Sequence, residues 1–269
     1  MSVSKKLAIA GLVTLVLATG AVFWFSPRGP ALTAFGDIAP LVLMIVATVA
    51  MLRNAVSQRR ARAFWLLLGL GCLMWTVNQW FWTYYEVIVS RDLPEPFFGD
   101  IILFVHIVPF MAAVALRPHR TVKDRKVLLD TVNFLMLLVW WLFLYLFVIF
   151  PDEYVTLNVP VYSGHYDILY LIENLVLVFV LGMVASSTRG SWRKIYWNLF
   201  VACALYTLAS EIIDVAITRK QYYTGSPFDL LLLLAIGWMG WTAILARGVA
   251  GATIQGNENV FPDGVRAQK

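Results

Sequence analysis

Charge is the scarcest resource in this chain. Only 14% of its 269 residues are Asp, Glu, Lys or Arg, while 60% are hydrophobic. A soluble domain of this length carries about a quarter charged residues. So little charge cannot clothe a water-facing surface, which excludes a soluble globular protein and leaves a polytopic membrane protein. Cysteine is nearly missing. Cys72 and Cys203 both sit in apolar stretches, which argues for core packing rather than a disulfide or a metal pair. Histidine is limited to His106, His119 and His165, at different depths, so a membrane haem held by two histidines is poorly provided for. His106 reads as a hydrogen-bonded packing residue. No lysine falls in any apolar stretch, so a retinal Schiff base has no attachment point. Phosphate loops, nucleophile elbows and H-E-x-x-H are also missing. No catalytic constellation and no cofactor is indicated, and the carboxylate spacing is not diagnostic of a metal site.

The chain does contain long apolar runs. A membrane span needs roughly 20 apolar residues, and about eight can be marked: Leu7–Phe25, Phe35–Leu52, Ala63–Val87, Gly99–Leu116, Val127–Phe150, Tyr166–Ser186, Ile195–Thr218 and Phe228–Leu245. The first follows Lys5 and Lys6 but is too long for a signal-peptide core. Bulky Phe23, Trp24 and Phe25 stand where cleavage needs small residues, so it reads as a retained span. The expected fold is all-α, with about eight transmembrane helices and a transmembrane domain over residues 1–248. A polar tail follows at 249–269.

Basic residues are sorted by connection. Lys5 and Lys6, Arg53 to Arg62, Arg117 to Lys126, Arg189 to Lys194, and the C-terminal Arg247, Arg266 and Lys269 hold 17 of the 21 Lys and Arg residues. The opposite side holds only Arg28, Arg91, Arg219 and Lys220. The positive-inside rule then places both termini in the cytoplasm. The net charge of +5 follows from this bias, and no nucleic-acid-binding motif accompanies it. Acids show the reverse bias, and twelve of the 16 fall in the outer half. Solvated loops account for Asp92, Glu95, Asp152 and Glu153. They do not account for Glu86, Glu173, Glu211 and Asp214, which lie within spans. In the sixth span Asp167, Tyr170 and Asn174 share a face with Glu173 beside it. Near the inner end of the fifth, Asp130 is positioned to pair with Arg125 or Lys126.

The densest stretch is W-T-V-N-Q-W-F-W-T-Y-Y-E, from Trp75 to Glu86, followed by a loop to Asp100. Trp75, Gln79, Trp82 and Glu86 fall at i, i+4, i+7 and i+11, one stripe of a helix. Lipid cannot satisfy an amide or a carboxylate, so this stripe must face protein or water. Pro94 and Pro96 stop the helix and stiffen the loop. A weak repeat runs through the chain: F-G-D-I at Phe35–Ile38 and at Phe98–Ile101, Y-D-I at Tyr166–Ile168, and F-D-L at Phe228–Leu230. The spacings of 63, 67 and 62 residues between Asp37, Asp100, Asp167 and Asp229 suggest one helical hairpin used about four times. The purely structural alternative is that each Asp caps a helix N-terminus.

The expected site is an outward-opening pocket with flat apolar surface from Trp75, Trp80, Trp82 and Tyr85. Its polar groups would be Gln79, Glu86, Asp100, Glu173, Glu211, Asp214 and Asp229. Aromatic faces beside carboxylates favour a cationic or amphipathic ligand.

The W-x3-Q-x2-W-x3-E run, the P-x-P followed by Asp100, and the basic loop entering V-L-L-D at Val127–Asp130 resemble the N-terminal integral-membrane sensor regions of bacterial diguanylate cyclases (GGDEF proteins) and sensor histidine kinases. That resemblance implies a multi-pass protein of the bacterial inner membrane. It would signal to a cytoplasmic output module in cis or trans, and a homodimer is compatible with this arrangement. After Leu245 a short polar tail follows; the expectation is that this is a sensor region of a longer protein that carries the output module and any enzymatic activity, or that it acts alone or through a partner. The rival expectation is a small secondary transporter that uses its intramembrane carboxylates.

Overall fold

The computed structural model describes residues 18–91, 93–94, 97–119, 127–156 and 158–258, with side chains omitted at 127–131, 134, 159–162 and 248–258. Lys5, Lys6, Asp92, Glu95, Pro96, the expected pairing of Asp130 with Arg125 or Lys126, and the tail after Glu258 therefore lie outside what is described. Among the described residues every regular element is a helix. Residues 18–25 form α1, followed by α2 (Pro30–Ser57), α3 (Arg62–Thr83), α4 (Phe98–Val105), α5 (Ile107–Leu116), α6 (Val127–Leu144), α7 (Val159–Ser187), α8 (Ser191–Thr218) and α9 (Asp229–Glu258).

Six segments are long and apolar enough to cross a membrane: Pro30–Ser57, Arg59–Val89, Phe98–Leu116, Ser163–Ser187, Ser191–Thr218 and Asp229–Arg247. Their outer faces are aliphatic. Val42, Ile45, Val46 and Val49 on α2, and Leu66, Leu70 and Leu73 on α3, are exposed, an arrangement that suits lipid and would be costly in water.

These six segments close a ring. α2 packs on α3, α3 on α5, α5 on α7, α7 on α8, α8 on α9, and α9 back on α2. α6 lies outside the ring against α5, and α1 packs Phe23 with Leu32 and Leu233. Polar side chains tie neighbouring helices together, as expected where helix association cannot draw on water. Thr48 and Thr76 hydroxyls meet at 3.0 Å between α2 and α3. Asn54 Nδ2 donates to the Ala243 carbonyl at 2.7 Å between α2 and α9, and Trp238 Nε1 donates to Asn198 Oδ1 at 3.1 Å between α9 and α8. Tyr170 and Tyr206 hydroxyls join α7 to α8.

Two helices depart from the expected continuous spans. The fourth breaks at His106 into α4 and α5. Pro109 has no N–H for the Val105 carbonyl, and His106 turns its Nδ1 onto the Leu103 carbonyl. His106 is 2% exposed and packed among Trp75, Phe110, Tyr170 and Tyr206, a packing residue as its sequence context suggests. The third helix widens at Tyr84–Val89 into a π-turn, ending at Ser90 with φ 54. Wide turns recur past the end of α6, at Tyr145–Ile149 and Pro151–Val155. There Tyr145 donates a hydrogen bond to Glu153, which is buried just beyond the apolar part of that helix.

The glycines of the two F-G-D motifs explain themselves by contact. A Cβ on Gly36 would stand 2.5 Å from the backbone nitrogen of Gly225, in the α8–α9 loop. A Cβ on Gly99 would stand 2.4 Å from Asn78 Oδ1. Gly36→Ala is expected to lower stability by about 1–3 kcal/mol, because backbone cannot yield as a side chain can. Gly164→Ala, with nothing within 4 Å, should be neutral or stabilising. Thermal unfolding in mild detergent separates the two. Burial also pushes the Glu153 carboxyl above its ordinary value of 4.5. The folded state then holds that proton more tightly than the unfolded chain, so the contribution is greatest below pH 4.5 and is lost as pH rises. Unfolding temperatures of wild type relative to Glu153→Gln should accordingly fall as pH is raised from 4.

Candidate functional site

The ring encloses a cavity of about 190 Å³ with walls from all six membrane-crossing segments. α2 contributes Gly36, Asp37 and Pro40, and α3 contributes Trp75, Asn78, Gln79 and Trp82. Leu103 comes from α4, and Tyr166, Asp167 and Tyr170 come from α7. α8 supplies Tyr206, Ser210 and Asp214 among others, α9 begins with Asp229, and Tyr222 and Thr224 reach in from the α8–α9 loop. At one end of the bundle lies a larger vestibule of about 820 Å³, lined by Glu86, Arg91, Pro94, Phe97, Asp100 and Tyr223 among others. Trp82, Ile217, Tyr222 and Thr224 line both spaces, so they form the waist between cavity and vestibule.

The predicted stripe runs from the cavity into the vestibule, past the start of the wide turn. Trp75, Gln79 and Trp82, on regular α-helix, face the inner cavity. Glu86, three residues into the π-turn, faces the vestibule. Trp82 lines the vestibule as well, and Glu86 stands beside Asp37 of the cavity wall, so the four residues follow one continuous space. Of the remaining predicted residues, Asp214 and Asp229 line the cavity and Asp100 lines the vestibule. Tyr85 lines neither and braces Phe97 of the vestibule wall edge-on. Glu211 also lines neither. Glu173 is fully buried away from both spaces, and neither of its carboxyl oxygens has a hydrogen-bond partner among the described residues. Trp80 points outward, 51% exposed and stacked on Tyr84.

Sequence reasoning left Asp37, Asn78, Asp167 and the cavity tyrosines Tyr166, Tyr170, Tyr206 and Tyr222 out of the site. The repeat carried the signal for two of them. Asp37 and Asp167 lie well inside α2 and α7, beyond the positions where a cap could act, and both line the cavity. All four repeat aspartates thus converge on one continuous space, three in the cavity and Asp100 in the vestibule. Asp37 is 2% exposed; its Oδ1 takes a long bond of 3.5 Å from Gln79 Nε2, and its Oδ2 has no hydrogen-bond partner among the described residues. Asn78 Oδ1 is likewise buried without a partner. Asp229 has firm partners: Tyr222 donates to its Oδ1 at 3.0 Å and the Gly225 N–H donates to its Oδ2 at 2.8 Å. Burial, and the charge of Asp229 beside it, hold the Tyr222 hydroxyl well above its ordinary range, so it is a donor at every physiological pH. Asp229 thereby clasps the α8–α9 loop over the waist.

Trp75 packs against Tyr206 with ring centroids 4.4 Å apart, and Tyr166 stacks on Tyr170 at 5.7 Å. Among the described residues no Lys, Arg or His lines the cavity. In the vestibule Arg91 is present, and Arg28 caps the Tyr223 ring at 4.0 Å. Among the described residues no three His, Cys, Asp or Glu side chains converge to hold a metal ion.

Compared with known proteins, the chain matches no protein family, no curated protein and no solved structure.

The clasp separates the structural from the ligand role of Asp229. Asn keeps both bonds, since a tyrosine hydroxyl can accept as well as donate. Asp229→Asn should therefore unfold near the wild-type temperature. Asp229→Ala strands a buried hydroxyl and an N–H and should lose about 1–3 kcal/mol in thermal unfolding.

Proposed function

We propose that this chain is a membrane-embedded ligand-binding and sensory domain whose six-helix ring holds a small cationic or amphipathic ligand. The observation that carries this reading is the cavity itself. Four carboxylates and a set of aromatic rings surround it without one basic side chain. Such a wall attracts cations by charge and offers ring faces for cation–π contact. The ligand groups would be Trp75, Gln79, Trp82, Asp214 and Asp229, with Asp37, Asp167 and Tyr206, and with Glu86 and Asp100 at the entrance.

The proposal extends to topology. About eight spans follow from the apolar runs and their hairpin build from the aspartate repeat, and the distribution of Lys and Arg puts both termini in the cytoplasm. In that orientation the vestibule opens outward and α9 leads inward. A ligand that binds two arrangements of the ring unequally would shift α9 and so act on a cytoplasmic output module such as a diguanylate cyclase or histidine kinase. The Trp75–Glu86 pattern is what supports that choice of module.

A secondary transporter is the second reading, favoured by the convergence of acids from four helices on the cavity. It has to open a solid plug, however. Met44, Met51, Phe64, Trp65, Leu68, Met239 and Ala243, each at most 4% exposed, fill the ring beyond the cavity.

Purified protein in lipid nanodiscs, titrated with tetramethylammonium and with n-butylammonium, should show a saturable change in tryptophan fluorescence. Asp214→Asn should weaken it about tenfold or more, the worth of one charge-assisted bond. No saturable response to either cation, or a response unchanged in Asp214→Asn, would overturn the reading. Accumulation of the same cations by proteoliposomes would decide for the transporter.

A further inference from the structure

The acids of the cavity form two groups on facing walls. Asp37 of α2 and Asp229 of α9 stand near Glu86, close enough for the three to act on one another electrostatically. Asp167 of α7 and Asp214 of α8 form the second group, with Glu211 close by. In the ring, α2 and α3 lie across from α7 and α8, with α5 between them on one side and α9 on the other. The cavity is lined by Asp37 from one side of the ring and by Asp167 and Asp214 from the other, and by the Trp75 and Tyr206 rings, whose centroids are 4.4 Å apart.

The ionisable acids of the wall, Asp37, Asp167, Asp214 and Asp229, are acceptors when charged. Asp37 is buried and lines this space; its Oδ2 has no donor in hydrogen-bonding geometry among the described residues and stands beside the Glu86 carboxyl. Leaving such a group without a donor is costly. Pro40, in the same wall, has no N–H to offer the Gly36 carbonyl one turn earlier. An ammonium group carries three donors and no acceptor, the complement of this lining. A compact metal ion does not fit, since among the described residues no three ligating side chains converge. A single organic cation would satisfy one wall and leave the other.

We propose that the cavity takes a linear dication, an aliphatic diamine with one ammonium at Asp37 and the other at Asp167 and Asp214. Its methylene chain lies along the Trp75 and Tyr206 rings. This rests on the cavity being a ligand site, as argued above, and adds the two-ended character of the ligand.

The test uses the full chain in nanodiscs and isothermal titration with α,ω-diaminoalkanes of increasing length, each beside the n-alkylamine of equal carbon number. Affinity should peak at one diamine length, and that diamine should bind about tenfold or more tighter than its monoamine. Asp37→Asn and Asp214→Asn should each reduce it to the monoamine level. Should Asp37→Asn fail to fold, the length dependence of the wild type and the Asp214→Asn variant still decide. Equal affinity of diamines and monoamines throughout would overturn the dication and leave a cation pocket standing. Failure of both series to bind would overturn the pocket as well.

Discussion

Hydrocarbon offers no hydrogen bonds. Every polar group on a membrane-crossing helix must be satisfied by another helix or turned toward an enclosed space, and most of this architecture follows from that requirement. The ring closes because six helices each carry an aliphatic face outward and a few polar side chains inward. Thr48 with Thr76, Asn54 with the Ala243 carbonyl and Trp238 with Asn198 each join two neighbours. Four acids, Asp37, Asp167, Asp214 and Asp229, are turned toward the enclosed cavity instead.

The same requirement explains why the ring is uneven along its length. Toward one end the interior is packed with Met44, Met51, Phe64 and Trp65, which fill space and need no partners. Toward the other, tyrosines and tryptophans combine apolar area with a polar tip. That combination suits a wall that is dry between its charged groups. Asp229 contributes to stability and to the site at once: its carboxylate holds the α8–α9 loop through Tyr222 and Gly225, and the loop in turn narrows the entrance. Gly36 lets that loop seat against α2, so one small residue governs closure of the ring at the waist.

Much of this was legible in the chain. Hydropathy located the six described spans, and helical spacing correctly grouped Trp75, Gln79 and Trp82. The repeat marked the four aspartates that converge. What spacing could not supply was the identity of the neighbour each face meets. Glu173 follows Tyr170 by less than one turn, yet it turns away from the cavity, because a face defined on one helix says nothing of how that helix is rotated in the ring. The wide turn carrying Glu86 was not foreseen for a local reason, since nothing in Y-Y-E-V-I-V distinguishes a π-turn from an α-turn. Asp37 and Asp167 resembled caps until the true helix starts, Pro30 and Val159, put them further inside.

The wide turn at Tyr84–Val89 separates two kinds of wall. Below it, the cavity is built from regular helices whose register is locked by close contacts such as Gly71 against Phe110; an inserted residue there would rotate every side chain that follows. Above it, the vestibule is built from a π-turn, proline-bearing loops and helix ends, where a residue gained or lost is absorbed locally. Among descendants of such a chain, sequence length should drift at the entrance and stay fixed in the interior. New entry preferences could then evolve over an unchanged floor.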